Sequence, residues 1–290
     1  MLQERLKALR AEMEKRGITV YVVPTADFHE SEYVGDHFKA RKFITGFTGS
    51  AGTAVITLDE AGLWTDGRYF VQAENQLKDS TVTLYRMGEE GVPTVDEFVK
   101  DRLKEGGCLG FDGRVVNGTW GGKLEKIAAE KNVSMHVTED LIDLIWEDRP
   151  ALSKQPLFIL EEKYSGKSTA DKIADLRKAM KENGADVHIL TSLYDIAWLL
   201  NIRGNDIDYV PVVLSYLVLN ETECIWFLQE EVVDDKIRAY LEENHITTKP
   251  YDAIYDYVPE IPADAVVLMN RGTVNYRIVN SLDKAIKVVE

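Results

Sequence analysis

The chain has 290 residues, enough for about two domains of ordinary size. A hydrophobic share of 45% and a charged share of 29% are typical of a globular protein, and no apolar run reaches the roughly 18 residues of a membrane helix. Nucleic-acid binding requires an excess of Lys and Arg, whereas the formal net charge here is −15. We therefore predict no nucleic-acid partner and no membrane partner.

The first predicted helix is indicated by apolar residues at helical spacing, namely Leu2, Leu6, Leu9 and Met13. Gly17 follows where a helix commonly ends in a left-handed cap. The next predicted elements are a strand at 18–23, a hairpin at 53–66 with its turn at 59–62, and a helix at 69–77. A strand at 108–111 and an amphipathic segment at 124–131 follow.

The same order of elements recurs in the second half of the chain. Leu9-Arg10, Met13 and Gly17 return at one constant offset as Leu176-Arg177, Met180 and Gly184. Further on, residues 43–49 match the pattern of residues 198–204. The predicted counterparts are a helix at 173–180, a strand at 187–190 and a hairpin at 213–228 with its turn at 220–223. A helix at 232–244, a strand at 266–269 and an amphipathic segment at 278–285 complete the second copy.

The repeat predicts an α/β protein of two tandem homologous domains, each a mixed sheet flanked by helices. Pro150 and Pro156 lie in a stretch that suits a connector, because proline lacks a backbone donor and restricts the preceding residue. We place the first domain at residues 1–134, a linker at 135–167 and the second domain at 168–290. Cys108 and Cys224 lie in apolar segments and are predicted to be buried thiols rather than a disulfide.

The glycine-rich stretch 46–52 fits neither common phosphate-binding motif. A P-loop requires its second glycine five positions after the first, where Ala51 stands, and the dinucleotide fingerprint requires a different glycine spacing. We predict a tight turn or close backbone packing. Ser50 lacks the first glycine of a nucleophile elbow and has no evident His and Asp partners, so it is not predicted to be a nucleophile.

Metal-binding motifs are also incomplete. His29-Glu30 begins like a zincin helix, but Tyr33 occupies the position of the second histidine. Asp195, Asp206 and Asp208 could act as metal carboxylates, yet neither an acidic glycine-rich turn nor a distal His/Glu set accompanies them. From its own motifs, the chain carries no recognisable catalytic centre.

Four stretches are more specific: FITGFTGSAG at 43–52, TDGRYF at 65–70, IWEDRP at 145–150 and DIAWLLNIRG at 195–204. Together they resemble the long, three-domain form of Xaa-Pro aminopeptidase (aminopeptidase P), a pita-bread metallopeptidase family related to creatinase. The resemblance extends over essentially the whole chain. It implies two creatinase-type N-terminal domains, which in that family precede a pita-bread catalytic domain.

In that family the catalytic domain binds two divalent metals, usually manganese, through two Asp, one His and two Glu. The stretch DSGxxYxDGTTD that opens this ligand set is not found here. The resemblance therefore implies that this chain contains no catalytic residue and no metal ligand, and that it is inactive by itself. We expect the natural reading frame to continue beyond Glu290 into that domain.

The parent enzyme would remove an N-terminal residue that precedes proline, in the cytoplasm and as a homodimer. Its N-terminal domains would shape the substrate pocket and support dimerisation. By likeness to the TDGRYF motif, Arg68 is predicted to bind the substrate peptide; the alternative is a structural pair with Asp66 or a glutamate. A freestanding peptide- or protein-binding module without enzymatic activity is the alternative function. A creatine amidinohydrolase is disfavoured, because those enzymes carry one such N-terminal domain.

Overall fold

The computed structural model describes residues 2–290, which divide into two compact units. Unit 1 contains the residues up to Phe28 and Asp36–Ala151, and unit 2 contains His29–Gly35 and Leu152–Glu290. None of the helices in the described part of the chain is long and apolar enough to cross a membrane.

Unit 1 is a six-stranded mixed sheet with five helices. The strands are β1 Val20–Pro24, β2 Thr53–Thr57, β3 Ala61–Thr65, β4 Thr83–Arg86, β5 Cys108–Phe111 and β6 Ser134–His136. The helices are α1 Leu2–Lys15, α2 Ala40–Thr45, α3 Phe70–Leu77, α4 Val95–Arg102 and α5 Gly118–Glu130. The strand order is β4-β3-β2-β1-β5-β6, with β2 antiparallel to both of its neighbours and the other pairs parallel.

Unit 2 repeats this sheet and adds a short antiparallel pair. Its strands are β7 Phe158–Ile159, β8 Val187–Leu190, β9 Ile202–Arg203, β10 Ser215–Asn220, β11 Cys224–Leu228, β12 Thr247–Pro250, β13 Val266–Leu268 and β14 Lys287–Val289. Its helices are α6 Glu162–Ser165, α7 Thr169–Glu182, α8 Leu193–Leu200, α9 Asp235–Glu243, α10 Ile254–Tyr257 and α11 Tyr276–Ser281.

The six-stranded sheet of unit 2 has the order β12-β11-β10-β8-β13-β14, and β10 is antiparallel to both neighbours. The remaining pairs are parallel, as in unit 1. Order and direction therefore agree strand for strand between the two units. The predicted α/β class, the duplication and the mixed sheets flanked by helices are confirmed.

Most predicted elements agree with the structure in type, but several boundaries differ; α5 begins at Gly118 and not at residue 124, and α11 ends at Ser281 and not at residue 285. The first hairpin turns at residues 58–60, so Ala61 and Gly62 belong to β3 and not to the turn. The Thr57 hydroxyl explains the tighter turn, because it accepts the backbone N–H of Glu60 at 2.8 Å and donates to Asp59. The first strand begins at Val20 and includes Pro24, which was predicted to follow it.

The predicted linker contributes buried side chains to unit 1. Leu141 and Ile142 belong to its apolar core, and the Trp146 ring stacks on Phe43 with centroids 4.6 Å apart. Arg149 pairs with Asp140 at 2.6 Å. The domain boundaries at residues 134 and 168 stay a prediction.

In each unit a basic side chain connects the long helix that precedes the sheet to the next helix, α1 to α2 in unit 1 and α7 to α8 in unit 2. In unit 1, Arg5 donates to the carbonyl of Phe43 at 2.9 Å, and its guanidinium lies 4.0 Å from the centre of that ring. In unit 2, Lys172 donates to the carbonyl of Trp198 at 2.7 Å, and its ammonium lies 4.5 Å from the indole. Both carbonyls are in the last turn of a helix, where carbonyl groups lack intrahelical partners and attract positive charge.

We expect Lys172→Met to lower the free energy of unfolding by about 2–4 kcal/mol. Lys172 is 1% exposed, and its ammonium also donates to the side-chain oxygen of Asn201 at 2.7 Å, so one buried and one partly buried acceptor would lose their donor. Lys178→Met is the matched control, since Lys178 lies on the same helix with a side chain 77% exposed. Urea unfolding of both variants measures the difference, and equal stabilities would contradict the expectation.

Candidate substrate-binding site around Arg68

Arg68 lies in the loop that joins β3 to α3. This loop adjoins the glycine-rich loop of residues 46–52, which leads into β2, because β2 and β3 pair antiparallel with Thr53 opposite Trp64. The Thr65 hydroxyl donates to the carbonyl of Ala51 at 2.7 Å and joins the two loops directly. Two adjacent chain segments at one end of the sheet therefore form the surroundings of Arg68.

The Arg68 side chain is exposed and paired with Asp66. Its side chain is 70% accessible, Nε lies 2.8 Å from Asp66 Oδ1, and Nη2 lies 2.9 Å from Oδ2. These hydrogen bonds lower the pKa of Asp66 to about 2 and raise the pKa of Arg68. The pair fixes the plane of the guanidinium, which has five N–H donors in all, so donors remain that the pair does not use. The structure thus contains the predicted Asp66 pair on a side chain that a ligand could reach.

The glycine-rich loop is held from inside by a buried guanidinium. Arg41 on α2 is 4% exposed and donates to the carbonyls of Phe47, at 2.5 Å, and Gly49. Its Nε donates to the Thr25 hydroxyl at 2.9 Å, and burial lowers the pKa of Arg41 to about 10. A phosphate cradle presents N–H groups to its ligand, whereas this loop turns carbonyls toward an internal cation. The sequence analysis did not single out Arg41.

The outer side of the loop is held by α3. Gln76 accepts the backbone N–H of Thr48 at 2.9 Å and donates to its hydroxyl at 2.8 Å, while Gln72 donates to the same hydroxyl at 2.9 Å. The Ser50 hydroxyl lies 2.6 Å from the phenol oxygen of Tyr69. Ser50 therefore hydrogen-bonds a phenol, which is not the general base that a nucleophilic serine requires.

Two of the residues considered as metal ligands, His29 and Asp206, have structural partners. His29 lies in unit 2, with Nε2 2.6 Å from the Tyr251 hydroxyl and Nδ1 3.0 Å from the carbonyl of Thr191. Asp206 accepts backbone N–H groups from Gln155 at 3.1 Å and Leu214 at 2.9 Å, and burial raises its pKa. Within residues 2–290, no group of three or more His, Cys, Asp or Glu side chains could hold a metal ion.

The surroundings of Arg68 offer hydrogen-bond donors and hydroxyl groups on a braced loop. A guanidinium of this kind can bind a peptide carbonyl or a carboxylate. The contacts described above include no activated nucleophile and no metal centre. The geometry therefore supports binding and positioning of a ligand.

Comparison with known proteins identifies the class of domain. Residues 5–145 and residues 148–290 each match a family model described as the creatinase/prolidase N-terminal domain. The two matches together extend over nearly the whole chain. The chain belongs to the creatinase/prolidase N-terminal domain family and contains two such domains in tandem.

Among curated relatives, the chain is 41% identical over 255 residues to a probable Xaa-Pro aminopeptidase P of Neurospora crassa, covering 87% of this chain and 37% of the relative. It is 39% identical over 305 residues to the probable Xaa-Pro aminopeptidase P of Laccaria bicolor, covering 99% and 47%. Aminopeptidase P2 of Arabidopsis thaliana is 35% identical over 291 residues, covering 98% and 41%. The chain thus spans less than half the length of these relatives.

A solved structure of X-prolyl aminopeptidase from Caenorhabditis elegans is also similar. It superposes with a TM-score of 0.93 at 32% identity, covering 99% of this chain and 50% of that one. That protein is described as a cytosolic enzyme with a di-nuclear active site.

We expect Gly49→Ala to destabilise the chain by about 1–3 kcal/mol and to displace the loop of residues 46–52. A Cβ atom at Gly49 would overlap the Phe47 ring and approach Cδ1 of Tyr69 to 2.8 Å. Gly122→Ala is the control, because a Cβ there meets nothing within 4 Å and alanine favours the helix by roughly 0.5–1 kcal/mol. Chemical unfolding compares the two variants, and a neutral Gly49→Ala would show that the loop yields easily.

Proposed function

We propose that this chain is the N-terminal, non-catalytic portion of a Xaa-Pro aminopeptidase, a metallopeptidase that removes an N-terminal residue preceding proline. The observation that carries the proposal is sequence identity of about 40% to Xaa-Pro aminopeptidase P proteins over most of the chain. In the cell the longer protein would act in the cytoplasm on peptides with proline at position two.

The catalytic chemistry of the longer protein would depend on two divalent metals, which we propose to be manganese. Residues 2–290 do not fit such a centre, because no group of three or more suitable side chains lies together among them. The ligands would have to come from another part of the longer protein. We therefore assign binding and positioning to this chain, and no step of the reaction.

The proposed role of the two domains is to shape the substrate pocket and to support a homodimer. Arg68 is the residue to which we assign substrate contact. Its exposure lets a peptide reach the guanidinium, and the bidentate pair with Asp66 limits how far that group can rotate. A donor oriented before binding loses less side-chain entropy when the ligand arrives.

The 290-residue chain alone is expected to hydrolyse no peptide and to bind no stoichiometric catalytic metal. The physical reason is that residues 2–290 bring together no cluster of side chains that could hold such a metal. A proline-second peptide assay, together with elemental analysis after manganese loading, measures both properties. Turnover accompanied by stoichiometric manganese or zinc would refute the assignment of this chain as non-catalytic.

In the longer protein, Arg68→Ala should lower kcat/KM for a proline-second peptide by roughly 10- to 150-fold, the loss of one charge-assisted hydrogen bond of about 1.5–3 kcal/mol. Arg68→Lys should recover only part of the activity, because an ammonium lacks the planar fork. Folding should be unaffected, since the side chain is 70% exposed.

Arg86→Ala is the control for Arg68→Ala. Arg86 also lies near α3, is paired with Glu74 at 3.2 Å and has a side chain 37% exposed, but no substrate contact is assigned to it. Its kcat/KM should stay near the wild-type value. If Arg68→Ala unfolds the protein while the folded fraction keeps normal kinetics, the Asp66 pair is structural and the assignment is wrong.

A further inference from the structure

Helix α2 of unit 1 and helix α8 of unit 2 occupy equivalent places in the fold, and the aromatic residue at one corresponding position differs in exposure between them. Phe43 on α2 and Trp198 on α8 each have a carbonyl bound by a basic residue of the preceding long helix, Arg5 or Lys172. Both helices end in a left-handed residue, with φ of 76° at Gly46 and 52° at Asn201. The aromatic side chains therefore occupy corresponding positions.

In unit 1 this aromatic residue is covered by the chain that follows the last strand. After β6, the chain places Leu141 and Ile142 in the apolar core and stacks the Trp146 ring on Phe43 at an interplanar angle of 15°. Phe43 is consequently only 7% exposed. The covering segment is local, since it belongs to the same unit as the helix it covers.

In unit 2 the corresponding aromatic residue is open to solvent. Trp198 is 54% exposed, and Asp195 and Tyr194 on the same helix are exposed as well. The strand that corresponds to β6 is β14, which ends at Val289. A counterpart of Trp146 at the same spacing would fall after Glu290, in polypeptide outside these 290 residues.

We propose that the Trp198 face of α8, defined by Tyr194, Asp195 and Trp198, is the docking surface for the polypeptide that follows β14 in the longer protein. The inference rests on the proposed function, which makes this chain part of such a protein. The docked segment places an aromatic or aliphatic side chain on the indole, as Trp146 does on Phe43. Asp195 adds a negative charge to this face, so the segment carries a basic side chain opposite it.

Docking at this face would attach the next part of the protein to unit 2 through a short connection. A stacked aromatic pair gains free energy beyond the area it buries, and removal of an exposed indole from water adds to it. The first residues after β14 would then be held in place, and the domain that follows would begin from a fixed point on α8.

The test compares thiol labelling of Tyr194→Cys in the 290-residue chain and in the longer natural protein. Cys108 and Cys224 give little background, because both are buried and burial raises the pKa of Cys224 to about 12; the unsubstituted longer protein is the blank for its remaining thiols. We expect labelling at position 194 to be at least tenfold slower in the longer protein. Adding Trp198→Ala should return the rate to that of the 290-residue chain, and Trp198→Gln serves if the alanine variant fails to fold.

Equal labelling rates in the two proteins, or protection that survives the Trp198 substitution, would overturn the proposal. A natural polypeptide that ended at Glu290 would overturn it too. Protection that rises with the concentration of the 290-residue chain would assign the face to a second copy instead. Peptidase activity of the longer protein is measured separately, so a failure of the proposed function is distinguishable from a failure of docking.

Discussion

Each unit depends on the strand that joins its hairpin to strands from the end of the unit, β1 in unit 1 and β8 in unit 2. On one edge its partner is an antiparallel strand of the hairpin, β2 or β10. On the other edge its partner is a parallel strand from much later in the chain, β5 or β13. A strand buried in this way must satisfy all its backbone groups within the sheet. Every residue of β1 is buried, so the strands on both sides are required to close the core.

The sequence predicted the elements that carry a strong apolar period and missed those that do not. Helix α1, the strands β5, β8 and β11, and the left-handed glycines 17 and 184 are where the pattern placed them. The outer strands β4 and β12 are largely polar and half exposed, so no alternation marks them. Helix α4 did carry a readable signal, since Thr94 and Glu97 form a capping box at its start.

For the candidate site, the resemblance to the TDGRYF motif singled out Arg68, with Asp66 as its structural partner, and substrate contact by Arg68 stays a prediction. The resemblance could not identify Arg41, whose partners are carbonyls of the loop that follows it and a hydroxyl from an earlier strand end. Backbone carbonyls leave no mark in a sequence, so a cation that binds them resembles any surface arginine until the fold is known. The local sequence, with Lys39 and Lys42 close to Arg41, does not distinguish the buried arginine from an exposed basic run.

The duplication explains why surface differences between the units are informative. A contact that both copies of one fold keep belongs to the fold itself. One such contact is a hydrogen bond from an arginine on the long helix to a carbonyl at the end of a hairpin strand: Arg10 donates to Thr57 at 2.9 Å in unit 1, and Arg177 donates to Asn220 at 3.0 Å in unit 2. Where corresponding positions differ in exposure, the shared fold does not account for the difference, and contact with polypeptide outside the unit is a physical explanation that can be tested. Phe43 and Trp198 differ in this way, because the polypeptide that covers the first has no counterpart among the residues of unit 2 described above. An indole retained at such a position loses hydrophobic free energy as long as water contacts it, which favours a binding partner for that face.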